Sequence, residues 1–340
     1  MTASAAEPGR TADPVTHARI LRIAGPIVLS NATVPLLGAV DVAVVGQMGL
    51  AAPIGAVGVG AVILATLYWV FGFLRMGTSG LTAQAHGAGD HAESGAVLIR
   101  ALLVGLTAGL VFIAFQRPLF AGAFAIAPAS DAVETLALSY LAIRIWGAPA
   151  TIMTYAVEGW LIATERTRGV FAVQVWKNGL NVVLSIWFVL GLGWGVPGVA
   201  IATLIAEWTG LALGLWLCRD AFAGGVWRDR ARIFDRARLV RMALVNRDIM
   251  IRSVILQLSF TTFIFLGARM GDVTLAANQV LMQFLEITAY ALDGFAFSAE
   301  ALVGQAVGAK ARGGVRRASV MTSQWGLGGT LILSLAFWFA

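Results

Sequence analysis

GFLRMGTSGLTAQAHGA, residues Gly72–Ala88, returns later in the chain as GFAFSAEALVGQAVGA, residues Gly294–Ala309. The offset is 222 residues at the leading glycines and slips to 221 after one gap. Upstream, Met48-Gly49 answers to Met270-Gly271, and Tyr68 answers to Tyr290. Each copy closes a long apolar run and stops at a polar loop. Both loops fall on the same side of a membrane, so the repeat is parallel. Two halves related by an axis along the membrane normal are an established transporter plan.

The composition agrees with a membrane setting. Of 340 residues 59% are hydrophobic and 12% charged, and the mean hydropathy is +0.82. A soluble domain carries roughly 25% charged residues. Apolar runs of about 20 residues, each able to cross the bilayer as a helix, recur nine times: 20–46, 54–82, 96–116, 133–161, 169–191, 196–217, 247–267, 273–304 and 318–340. The alternating pattern of a β-barrel is missing. The fold expected is an all-α polytopic membrane protein, a two-lobe bundle with a parallel pseudo-repeat. Halves of about 220 residues and six spans imply about 440 residues and twelve spans, so nine of twelve helices are expected here, three short of that plan. The expected organisation is a disordered cytoplasmic tail over 1–17, a first lobe of six spans over 18–218, a basic cytoplasmic linker over 219–246 and a partial second lobe over 247–340.

Charge sets the orientation. With a cytoplasmic N-terminus, 19 of 24 Lys and Arg lie on or beside cytoplasmic segments, Arg117 and Arg269 lie outside, and Arg75, Arg144 and Lys177 lie within spans. That is the positive-inside pattern. The net charge of +6 therefore points to membrane topology, with RDRARIFDRARLVR lying against anionic headgroups, and no nucleic-acid partner is expected. Arginine outnumbers lysine 22 to 2, a hint of a GC-rich bacterial genome. The expected location is a bacterial inner membrane, multi-pass, with no cleavable signal. The lone Cys218 excludes an internal disulfide and a cysteine-based metal cluster.

Polar residues inside spans form stripes. In the eighth span Gln279, Gln283, Glu286, Tyr290, Asp293 and Glu300 share one helix face. Tyr140, Arg144, Thr151, Tyr155 and Glu158 do so in the fourth span, and Gln174, Asn178, Asn181 and Ser185 in the fifth. The sixth adds Thr203 and Glu207. Ionisable groups at such depth normally face a protein interior or a wet cavity. The candidates for a substrate chamber are Arg144, Tyr155, Glu158, Asn178, Glu207, Gln283, Glu286, Tyr290, Asp293 and Glu300. Helix-to-helix bonding is the plainer alternative, and it explains three acids on one helix poorly. No enzyme constellation is present: His17, His86 and His91 lie in the tail or in the loop after the second span, and no HExxH helix occurs.

The motifs PLLGAVDVAVVGQMG, GFLRMGTSGLTAQAHGAGD, IRIWGAPA, NVVLSIWFVLGLGWGVPGVAIATLIAEW and LAANQVLMQFLEITAYALDGFAFSAEALVGQAVGA together resemble the multidrug and toxic compound extrusion (MATE) family, in its DinF-like branch. The resemblance implies twelve helices in two six-helix lobes and export of organic substrates driven by inward proton or sodium flow. It also implies an N-lobe cation site. There Asp41 matches the first-helix acid, and Asn181 and Thr203 match an amide and a hydroxyl on the fifth and sixth helices. The family's fifth-helix acid falls at Ser185, a departure that weakens the case for sodium and leaves a proton as the coupling ion.

Asp41 stands in an otherwise apolar span, and its counterpart in the repeat is Phe263, so it is no part of the shared scaffold. The reading is a protonatable group at the chamber wall, bonding to Asn181 and Thr203. An interfacial acid capping a neighbouring helix is the alternative. Pro26 and Pro35 remove backbone hydrogen bonds from the same span and let it bend. The function expected is a proton-coupled secondary antiporter, acting as a monomer among membrane lipids on cationic or neutral amphipathic compounds. No cofactor or metal is expected, the coupling ion being a proton with sodium second. A lipid-linked or polysaccharide flippase, a membrane-embedded enzyme and an inactive truncated remnant are the competing readings.

Overall fold

The computed structural model describes residues 14–339, apart from the side chains of 34–39, 265, 268, 272, 275 and 276. Every regular element among the described residues is helical. The first crossing is α1 (His17–Ala32) followed by α2 (Val34–Gly46). α3 (Ala51–Trp69) continues through a 3-10 turn into α4 (Phe73–Gly87), and α5 (His91–Ala114) returns toward the short α6 (Gln116–Ile126). α7 (Asp131–Arg144) leads through a second 3-10 turn into α8 (Ala148–Ala163). α9 (Thr167–Ile186) ends in a π-helical turn at Trp187–Gly191 and hands over to α10 (Gly195–Leu217). Short turns over 219–228 and α11 (Arg230–Ile233) link to α12 (Arg236–Arg269), α13 (Asp272–Gly308) and α14 (Arg312–Phe339). Seven helical segments among the described residues are long and apolar enough to cross a membrane. The remaining two expected crossings are the broken α1–α2 rod and the apolar part of α12.

Most of the expected tail, residues 1–13, lies outside the described residues. Val15 is buried and Thr16 caps α1 by accepting from the Arg19 N–H at 3.2 Å, so the fold begins ahead of the expected boundary. The expected linker over 219–246 runs into a helix. Its last third is helical, because Asp235 caps α12 by accepting from the Arg238 N–H at 2.8 Å.

The two prolines of the first crossing act differently. Pro26 sits inside α1, where its missing N–H leaves the Arg22 carbonyl without a helical donor. The Thr167 hydroxyl of α9 donates to that carbonyl at 3.2 Å, and α1 runs on. Pro35 stands in the first turn of α2, where a missing N–H costs nothing. The break falls before it, at Thr33. Asn178 of α9 holds this break by donating to both the Thr33 carbonyl (3.1 Å) and its hydroxyl (2.9 Å).

The repeat is visible in three dimensions. α3–α4 spans Ala51–Gly87 and α13 spans Asp272–Gly308, the same length with ends 221 residues apart. The preceding turns use positive φ at Gly49 (70°) and Gly271 (105°), and the following turns at Gly89 (75°) and Lys310 (55°). Where α4 crosses α13, equivalent positions meet each other. A Cβ on Gly87 would run into the Gln305 carbonyl, and a Cβ on Gly308 would run into the Gln84 carbonyl. Gln84 and Gln305 are repeat equivalents, as are Gly87 and Gly308. The Arg75 guanidinium lies 4.4 Å from the centroid of the Phe297 ring, its own equivalent. The α4–α13 crossing is thus the pseudo-twofold axis.

This crossing closes one end of the molecule. α13 packs against α1, α4 and α8. The Arg19 guanidinium donates to Glu165 from Nε at 2.9 Å and to Gln305 at 2.8 Å, while Gln305 donates to the Ala163 carbonyl at 2.9 Å. At the other end the first half of α13 presents Gln279, Gln283 and Glu286 exposed. The bundle is sealed at the end holding the start of α1.

Candidate functional site

The polar stripes converge on three clusters. In the first, Asp41 of α2 is 8% exposed, and the Ser185 hydroxyl of α9 donates to its Oδ1 at 3.3 Å. One turn earlier on α9, the Asn181 amide donates to Thr203 of α10 at 2.8 Å, and Thr203 donates to the Val199 carbonyl at 2.9 Å. The expected direct bonds from Asp41 to Asn181 and Thr203 are not found among the described residues. The amide and the hydroxyl satisfy one another, and Asp41 turns to the serine. Asn181 is 1% exposed, and its Oδ1 has no hydrogen-bond partner. A buried acceptor left without a donor is uncommon and calls for a cause.

The second cluster lies beside the first. Arg144, at the end of α7, pairs with Glu207 of α10 at 2.7 Å, with both side chains about nine-tenths buried. Arg144 Nε also donates to the Tyr140 hydroxyl at 3.3 Å. Gly147 makes room for the pair, since a Cβ there would run into the Glu207 carboxylate. The Tyr68 hydroxyl of α3 is buried and unpaired.

The third cluster sits at the pseudo-axis. A cavity of about 220 Å³ is bounded by Asn31, Arg75, Tyr155, Glu158, Lys177 and Phe297, among others. Arg75 lies 3.8 Å from Glu158. Asn31 donates to Asp293 of α13 at 3.3 Å and to the Tyr290 carbonyl at 3.1 Å. The Oε2 atom of Glu300 is buried without a partner. Asn178, expected in the chamber wall, instead holds the Thr33 break and accepts from Gln174 at 3.1 Å. The side chains of Gln283, Glu286 and Tyr290 do not join a cluster and are exposed, Tyr290 to 39%.

Helices long and apolar enough to cross a membrane, a pseudo-twofold repeat and an acid on a broken first rod define the arrangement. The profile of the MatE family matches residues 26–187 and 249–340. The chain belongs to the MatE family. It is 42% identical over 289 residues to DNA damage-inducible protein F of Escherichia coli (strain K12), covering 85% of this chain and 63% of that protein. It is 30% identical over 336 residues to the probable multidrug resistance protein NorM of Deinococcus radiodurans, covering 94% of this chain and 69% of that one. A solved structure of MATE in the straight conformation superposes with a TM-score of 0.80 at 21% identity, covering 94% of this chain and 71% of that chain, which establishes the shared fold. The chain thus spans under two thirds of the length of the Escherichia coli relative.

Within this MatE fold the sequence reading overlooked Arg75, Lys177, Asn31 and Thr33 as site residues. Arg75 had a signal. The repeat sets it against Phe297, so the two copies differ in charge at the axis. Asn31 and Thr33 also had one, being polar in an apolar span. Lys177 lies a residue off the fifth-span stripe, and only packing brings it to the cavity.

Proposed function

We propose that this chain forms the first lobe and part of the second of a proton-coupled secondary antiporter that exports organic, cationic or neutral amphipathic compounds. The observation that carries the reading is Asp41 of α2, buried against the Ser185 hydroxyl of α9, with the unpartnered Asn181 Oδ1 one turn before that serine on α9. An ionised carboxylate only accepts and is served by Ser185. A protonated one can donate, and the Asn181 carbonyl is an acceptor in waiting. Loading a proton therefore changes the hydrogen bonds between α2 and α9. α9 also holds the Thr33 break through Asn178, and α1 beyond that break packs on α13. The proton site thereby reaches the seam between lobes through bonded neighbours.

One carboxylate with a hydroxyl and an amide suits a proton better than sodium, which favours several oxygens and compensating charge. The loop charges favour a cytoplasmic N-terminus in a bacterial inner membrane. The sealed end is then cytoplasmic, and the protein works as a monomer.

The test is transport by the full-length protein in proteoliposomes under imposed pH or sodium gradients. Asp41→Asn is expected to abolish pH-driven export while leaving substrate binding largely intact, and Ser185→Asp to add sodium dependence. Export at the native rate by the Asn variant would make Asp41 a structural residue.

One observation supports a second reading. Two of the acids within spans are paired with cations, Glu207 with Arg144 and Glu158 with Arg75, and Asp293 accepts from Asn31. The axial cavity itself holds Arg75 and Lys177 against Glu158. A substrate with an anionic group, as a flippase of the same superfamily would carry, fits that balance. Competition between organic cations and organic phosphates for the same binding signal separates the two.

A further inference from the structure

A cavity of about 630 Å³ lies outside the chamber, at the sealed end of the bundle. Its walls are Arg22 of α1, the turn from Glu165 to Gly169 between α8 and α9, and Trp216, Leu217 and Arg219 at the end of α10. Four guanidinium groups border it: Arg22, Arg166, Arg168 and Arg219. Both acids in the neighbourhood already have partners. Glu165 pairs with Arg19. Asp220 pairs with Arg166 at 2.6 Å, and that guanidinium holds its carboxyl below the usual carboxylate range. Arg22, Arg168 and Arg219 have no carboxylate partner among the described residues. The neighbourhood also carries two indoles. Arg219 lies 4.7 Å from the centroid of Trp216, and Arg166 lies 5.5 Å from the centroid of Trp160.

We propose that this cavity binds the phosphate-bearing headgroup of an anionic phospholipid. Three uncompensated guanidinium groups around one space call for an oxyanion, and planar guanidinium groups favour phosphate. Free phosphate shares that chemistry, but the position favours a lipid. The site lies where apolar helices end, beside the exposed Trp216, and tryptophan marks the membrane–water interface. Basic pockets between crossing helices at that level are suited to lipid headgroups. With Glu165 and Asp220 taken, no carboxylate is left to receive the ammonium of a zwitterionic lipid, so selectivity for a net-negative headgroup is built in. The bound lipid would tie α1 to the α8–α9 turn and the end of α10, on the lobe that carries Asp41.

Native mass spectrometry of the full-length protein in detergent tests this, with dioleoyl phosphatidylglycerol, dioleoyl phosphatidylcholine and sodium phosphate as separate probes. The protein is expected to retain one phosphatidylglycerol in strong preference to phosphatidylcholine, and millimolar phosphate is expected to leave that lipid bound. Arg22→Gln, Arg168→Gln and Arg219→Gln together are expected to erase the preference, at roughly fivefold for each arginine removed. Arg166 is left in place because it also donates to the Leu217 carbonyl. A variant carrying Arg312→Gln, Arg316→Gln and Arg317→Gln, equal in charge and placed elsewhere, is expected to keep the preference. Should the triple variant fail to fold, Arg22→Gln and Arg168→Gln singly are each expected to lose about fivefold. Retained preference in the site variants, equal loss in the displaced variant, or displacement of the lipid by phosphate would each overturn the proposal.

Discussion

At Arg144 and Glu207 two opposite charges are removed from lipid and water together. Breaking such a pair leaves the other charge stranded, which typically costs about 3–5 kcal/mol. Arg144→Met is therefore expected to lower the detergent melting temperature sharply. The double variant Arg144→Met with Glu207→Leu should recover much of the loss, because an apolar pair of similar volume needs no compensation. A double variant as unstable as the single would show that the charges do more than neutralise each other. Asp41 follows a different logic. It was legible in the sequence as the lone acid of its span and the odd residue of its repeat. Its partners were not. The spacing on α9 places Asn181 and Ser185 on one face and does not say which of them α2 meets. That depends on the rotation of α2 after the break at Thr33.

Among the elements, three helix ends share one geometry. Asp90, Arg166 and Ala311 each send an N–H back to the carbonyl five residues earlier, at 3.0, 2.8 and 2.9 Å. The residue before each has positive φ: Gly89, Glu165 and Lys310. Glycine is the natural occupant. Lys310→Gly is expected to stabilise the protein by about 0.5–1 kcal/mol, read as a raised melting temperature in detergent. Glu165 keeps a strained backbone because its carboxylate holds Arg19. Glu165→Gly should therefore relieve strain and yet loosen the sealed end. Distances between spin labels on α1 and α13 should lengthen in that variant and stay unchanged in Lys310→Gly. These caps were half legible. Gly89 marks its turn in the sequence, whereas Glu165 and Lys310 are ordinary charged residues until the backbone is traced.

For the whole molecule, the pseudo-twofold axis makes a quantitative demand. Gly87 and Gly308 face each other's neighbours reciprocally, so Gly87→Ala and Gly308→Ala should open the sealed end to a similar degree, in the same spin-label assay. A large effect from one and none from the other would mean that the crossing is not symmetric in energy. Orientation is testable as well. With Cys218 replaced by Ser, a single cysteine at Lys310 should react with a membrane-impermeant thiol reagent only in inside-out vesicles, and one at Arg117 only in right-side-out vesicles.

The sequence by itself determined the membrane setting, the succession of apolar helices and the parallel repeat, because hydropathy and motif spacing are properties of the chain taken in order. It also marked Asp41, since an acid among apolar residues stands out in one dimension. Only the tertiary structure decided which polar groups meet. Helix periodicity assigns residues to faces, but the rotation and tilt of each helix follow from packing all of them at once. That packing paired Asp41 with Ser185 and Glu207 with Arg144. It also set Arg75 over its own repeat equivalent and drew four arginines from three separate segments around one cavity.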